Sequence, residues 1–177
     1  AIADFNKAIE INSDYRDAYL NRGNAYGDSG NYSNAISDFS KAIELNPILT
    51  KAHFNRGNMY LDLREYPNAI ADFTKELEVN QNNGMVYYNR GLAYYEFGNN
   101  DNACKDWAKA LSLGVVEAKE LLDKYWNDKE KKELLGIKSE NVEFKNNLSE
   151  VVEQIMVDVN AYFNRGNVFH NLKNYTQ

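Results

Sequence analysis

The chain repeats itself every 34 residues, and this constrains its fold more than any other feature. Arg22-Gly23, Arg56-Gly57 and Arg90-Gly91 stand one step apart, as do Tyr26, Tyr60 and Tyr94, and Ala35, Ala69 and Ala103. Phe39 and Phe73 keep the step, and Trp107 takes the third place. A fixed period in this range signals stacked units, each too small to bury its apolar face alone. Residues 19–47 read as two short helices joined by a turn at Gly30-Asn31.

The pattern aromatic-x2-Arg-Gly-x2-Tyr, then Ala-x3-Phe, then Pro47 strongly resembles the tetratricopeptide repeat. Repeats then fall at 16–49, 50–83 and 84–117. His53 stands at an aromatic position, Gln81 and Val115 replace the closing Pro, and Asn100 replaces the turn Tyr of Tyr32 and Tyr66. The resemblance implies an all-α solenoid of stacked antiparallel helix pairs, wound as a right-handed superhelix.

Both ends carry half-repeats. Residues 1–15 match the second half of a unit, with Ala1, Phe5 and Ala8 in the places of Ala35, Phe39 and Ala42. From Ala118 the period breaks, and 118–126 reads as a closing helix with an apolar stripe. Residues 127–158 read as a charged linker and an amphipathic helix carrying Leu148, Val151, Val152, Ile155 and Met156. Residues 159–177 restore the first helix of a repeat, since Tyr162 to Asn167 nearly copies Tyr19 to Asn24. The two end pieces together make 34 residues. This suggests a fragment of a longer array, or a chain whose ends complement each other. In the second case Asp4, Phe5 and Ile9 would meet Tyr162, Arg165 and Phe169, joining molecules head to tail.

Arg22, Arg56 and Arg90 stand 16 residues before Asp38, Asp72 and Asp106. A recurring Arg with a recurring Asp predicts a bidentate pair inside each unit. The glycines beside those Arg are not a phosphate loop. At this spacing inside helices, they let two helices approach closely.

The resemblance places Asn21, Asn55 and Asn89 on the first helix of each unit, facing the concave side. Asn24 and Asn58 follow one turn along, and Leu92 breaks that series. Comparable asparagine ladders in arrays of the O-linked N-acetylglucosamine transferase family hold an extended peptide backbone. A carboxamide suits that task because it offers both an acceptor and donors. Leu20, Phe54 and Tyr88, then Gly27, Leu61 and Tyr95, would form an apolar-aromatic floor. Asp28, Asp62 and Glu96 would add an acidic strip favouring a ligand with Lys or Arg. Repeats that clamp the C-terminal carboxylate of chaperones carry Lys where this chain has Leu20, Phe54 and Tyr88, which argues against that role.

The expected function is therefore a non-catalytic scaffold for an extended peptide or protein segment. Self-assembly through the half-repeats is the alternative, and an accessory domain of a larger enzyme is a further one. A net charge of −6 argues against nucleic acid as the main partner. No run of 18 apolar residues exists to span a membrane. His53 and His170 lack a catalytic partner or metal spacing, so neither a cofactor nor a metal is expected. The single Cys104 takes the place of Ile36 and Ile70 as a buried apolar group, which fits a reducing, cytoplasmic setting.

Overall fold

The computed structural model describes residues 1–48 and 50–126. Among them the chain forms eight helices: α1 (Ile2–Ile11), α2 (Arg16–Asp28), α3 (Tyr32–Leu45), α4 (Thr50–Asp62), α5 (Tyr66–Val79), α6 (Gly84–Glu96), α7 (Asn100–Ser112) and α8 (Ala118–Tyr125). The expected linker, amphipathic helix and final half-repeat at 127–177 lie outside the described residues.

The helices pack as neighbours in sequence. α2 lies against α3, α4 against α5 and α6 against α7, and each pair adjoins the next through α3–α4 and α5–α6. The first helices α2, α4 and α6 also touch one another in series. This is a helical-repeat solenoid, in which each helix packs chiefly on the helices next to it in sequence.

The core of each pair is an aromatic ring pressed against a glycine. Phe39, Phe73 and Trp107 are each almost wholly buried. A methyl group at Gly57 would stand 2.7 Å from Phe73 Cε1, and one at Gly91 would stand 2.5 Å from Trp107 Nε1. Real carbons do not approach so closely, so the helices cross at this distance only because no side chain intervenes. Trp107 Nε1 donates to the Tyr88 carbonyl at 3.3 Å, which satisfies its one polar atom. Cys104 is buried, in the apolar role its position implied.

The turns inside the repeats share one geometry. Gly30, Arg64 and Gly98 hold corresponding places, and all have positive φ, at 76°, 60° and 87°. The next residue opens the second helix. Asn31 and Asn99 cap it by accepting from the backbone N–H groups of Asn34 and Asn102. Glu65 holds the same place in the middle repeat and makes no such cap. Pro67 falls at the second position of α5. That position lacks an intrahelical acceptor for its N–H, so proline is free of penalty there.

The period reaches further than it seems in sequence. α2, α4, α6 and α8 begin at Arg16, Thr50, Gly84 and Ala118, each one step of 34 after the last. The helix register therefore continues through Ala118, where the side-chain pattern stops. Ala118 and Leu122 are buried, and α8 packs on α7.

Candidate peptide-binding face

Each repeat is closed by an arginine. Arg22 donates to Asp38 from Nε and Nη2, both at 2.7 Å. Arg56 does the same to Asp72 at 2.7 Å, and Arg90 to Asp106 at 2.7 and 2.8 Å. The pairing expected from the 16-residue spacing is present in all three units. The remaining nitrogen, Nη1, reaches back to the preceding repeat. It donates to Asn6 Oδ1 from Arg22, to Ser40 Oγ from Arg56 and to Thr74 Oγ1 from Arg90, at 2.7, 2.9 and 3.0 Å. These residues went unnoticed in the sequence. They do share one position in the period, which is the signal that could have found them.

The guanidinium faces are covered as well. Arg22 lies over Tyr19 and Tyr26, and Arg90 over Tyr87 and Tyr94, at 5.5 to 6.0 Å from the ring centres. In the middle repeat the first of these rings is His53. Instead of stacking, its Nδ1 stands 3.0 Å from Asp72 Oδ1, and its Nε2 stands 3.4 Å from the Pro47 carbonyl. The arginine positions are therefore structural, held in the interior of the repeat.

The asparagines lie elsewhere, where the first helices meet. Asn55 Nδ2 donates to Asn24 Oδ1 at 2.7 Å, and Asn89 Nδ2 donates to Asn58 Oδ1 at 2.9 Å. The two sequence ladders thus cross-link into rungs between successive repeats. Each rung uses one donor and one acceptor. Asn24 Nδ2, Asn58 Nδ2 and the Oδ1 atoms of Asn55 and Asn89 make no hydrogen bond among the described residues. Asn21 is exposed and stands at the head of the series.

The floor residues flank these rungs. Phe54, Asn58 and Leu61 follow one helical face at i, i+4 and i+7, as do Leu20, Asn24 and Gly27. Phe54 and Leu61 are partly buried against the cluster of Ala69, Phe73, Leu77, Val86 and Ala93. Leu20 and Tyr88 are half-buried too. Tyr95 differs, because Tyr125 of α8 lies on it with ring centres 4.3 Å apart. Asp28, Asp62 and Glu96 are exposed, and each is the last residue of its helix. None of α2, α4 and α6 has a basic residue in its last turn, so these acids face the negative end of a helix dipole unaided.

The proposed self-association residues fare differently. Asp4 is exposed, and Phe5 and Ile9 are half-buried on α1. Tyr162, Arg165 and Phe169 lie outside the described residues. Among the described residues no cluster of three or more His, Cys, Asp or Glu could hold a metal, and no helix is long and apolar enough to cross a membrane.

Paired helices, each locked by an Arg–Asp clasp and joined to the next through side-chain bonds, define a helical-repeat protein. Tetratricopeptide repeat models match residues 17–48 and 54–113, and a further repeat model of the same kind matches 1–30. The chain belongs to the tetratricopeptide repeat family. Among solved structures, MamA is 28% identical over 71% of this chain, with a TM-score of 0.60. The match spans 66% of the MamA chain, slightly under two thirds of its length. The Arabidopsis OM64 repeat domain is 25% identical over 62% of this chain and 94% of its own, with a TM-score of 0.58. The first such domain of Spaghetti (RPAP3), solved bound to the HSP90 peptide SRMEEVD, is 24% identical. It covers 69% of this chain and 89% of its own, with a TM-score of 0.55. No curated protein matches the chain in sequence.

Proposed function

We propose that this chain is a non-catalytic scaffold that receives an extended peptide or protein segment along the face of α2, α4 and α6. The observation that carries the reading is the pair of asparagine rungs. Each leaves one amide donor and one carbonyl acceptor for a second chain. An extended backbone presents the same two groups at every residue, so this recognition is independent of side chains. Phe54 and Leu61 supply apolar surface beside the rungs. The acids Asp28, Asp62 and Glu96 favour a segment bearing Lys or Arg.

A similarly folded domain, solved bound to the peptide SRMEEVD, supports this reading. That peptide ends in Asp, which carries both a side-chain and a terminal carboxylate. The present face has Leu20, Phe54 and Tyr88 where chaperone-tail clamps carry Lys, so the partner here is of opposite charge.

The test is a triple substitution, Asn21, Asn55 and Asn89 to Ala. Peptides selected from a displayed random library on the intact chain serve as ligands. Binding should fall by more than tenfold while helicity by circular dichroism stays unchanged. Undiminished binding by the triple variant would sink the groove reading.

A further inference from the structure

The geometry points to a boundary on this face: Tyr125 of α8 covers the third-repeat end, so a bound segment is confined to the surface of α2, α4 and the start of α6. The inference rests on the binding-face reading above.

Three observations converge on it. The first is the ring contact. Tyr125 lies 4.3 Å from Tyr95 and 6.0 Å from Trp107, and Tyr95 lies 5.9 Å from Trp107. The three rings form one cluster of tilted pairs, so Tyr95 has an occupant from its own chain. The second is the rung pattern. Asn24 and Asn58 each anchor a rung, but the third place in that series is Leu92. The aliphatic side chain of Leu92 can neither give nor accept a hydrogen bond, so beyond Asn89 the face offers a segment only apolar contact, at the Tyr95 ring that Tyr125 occupies. The third is the register. α8 starts in step with α2, α4 and α6, yet carries Tyr125 one period after Gly91. Where Gly23, Gly57 and Gly91 lie against the aromatic ring of their own second helix, α8 has a large ring that lies against Tyr95.

Burial holds α8 in this place. Ala118 and Leu122 are buried, and the Lys124 ammonium lies over the Tyr125 ring at 4.8 Å. The consequence for a ligand is a site about two repeats long, which Tyr125 ends.

The experiment uses the full chain. Random dodecapeptides displayed on phage are selected on it, and the tightest is labelled as the probe. Its affinity is measured by fluorescence anisotropy on the unaltered chain, Tyr125→Ala and Tyr125→Phe, with hydrogen exchange recording the footprint. The unaltered chain should show protection in α2 and α4 and none at residues 92–96. Tyr125→Ala should extend protection to 92–96 and tighten binding about threefold to tenfold, the range that one aromatic pair represents. Tyr125→Phe keeps the ring and should behave as the parent. Leu122→Lys loosens α8 through a different contact and should reproduce Tyr125→Ala, which guards against a local folding defect. A footprint that already includes 92–96 in the parent, or an affinity indifferent to Tyr125→Ala and Leu122→Lys, overturns the boundary. If that indifferent binding is still lost on Asn55→Ala, the binding-face reading survives and only the boundary fails. A library that yields no binder overturns both.

Discussion

Asp72 and Asp106 occupy the same place in successive repeats, yet their carboxyls are displaced in opposite directions. Burial raises both. At Asp106 it prevails over the hydrogen bonds from Arg90, and the group titrates above its ordinary value. At Asp72 the bonds from Arg56 are joined by one from His53, and the balance tips downward. One histidine in place of a tyrosine accounts for the difference.

His53→Phe should therefore raise the titration of Asp72 toward that of Asp106, read by carboxyl carbon chemical shifts. A carboxyl lowered by folding contributes stability above its unfolded value, near 3.8. That contribution is lost as pH falls through the lower folded value. Unfolding of the parent below about pH 4 should thus be delayed relative to the variant. At neutral pH the variant should lose about 1–3 kcal/mol, the usual cost of depriving a buried carboxylate of a donor.

Glu76 poses the opposite case. Its side chain is buried at 3% exposure, where the neighbouring repeats have Ala42 and Ala110. Oε1 accepts long bonds from Asn80 and Asn83, at 3.4 and 3.3 Å, and Oε2 has no partner. Burial raises this carboxyl above 4.5. A raised acid contributes its full stability below the unfolded value and loses it as pH climbs through the folded one. Glu76→Ala should then stabilise the chain at pH 7 by about 1–2 kcal/mol in urea unfolding. The advantage should shrink toward pH 4.5, and an unchanged gap between those pH values would refute the assignment.

Arg64 bears backbone strain that its counterparts escape. Gly30 and Gly98 adopt positive φ without penalty, whereas a β-carbon in that region costs about 1–2 kcal/mol. Arg64→Gly should raise stability by about 0.5–1 kcal/mol, once the greater freedom of unfolded glycine is subtracted. The urea midpoint should move with no change in slope.

Gly57→Ala should move stability the other way. Alanine is the better helix former by about 1 kcal/mol. The new methyl, however, meets Phe73 at 2.7 Å, and overpacking of this kind costs about 1–3 kcal/mol. Net destabilisation is expected, partly relieved by Phe73→Leu. A double-mutant cycle with a coupling near zero would contradict the close approach.

The periodic features were legible because period and structure coincide. Arg22 and Asp38 repeat together, so their pairing shows as a fixed offset. The rungs escape that logic. Asn24 and Asn55 are 31 residues apart, since the bond joins different positions of successive units. Each appears in sequence as its own ladder, and only packing reveals that they meet. Arg64 was hidden for another reason: arginine is no turn residue, so its left-handed backbone comes from the register of its neighbours. α8 shows the reverse. Its start follows the period while its side chains abandon it, so the apolar stripe marked a closing helix without showing that it keeps the register of the first helices.

The third nitrogen of each arginine has a consequence for how the array comes apart. Arg56 grips Asp72 of its own repeat and Ser40 of the one before, and Arg90 does likewise with Asp106 and Thr74. Opening any single unit breaks a bond that its neighbour also needs. Each such bond adds to the nearest-neighbour coupling between units, which together with the stability of each unit sets how an array melts. Weakening one clasp in the middle should lower the cooperativity of the whole transition, whereas the same change at an outer unit lets that unit fray alone.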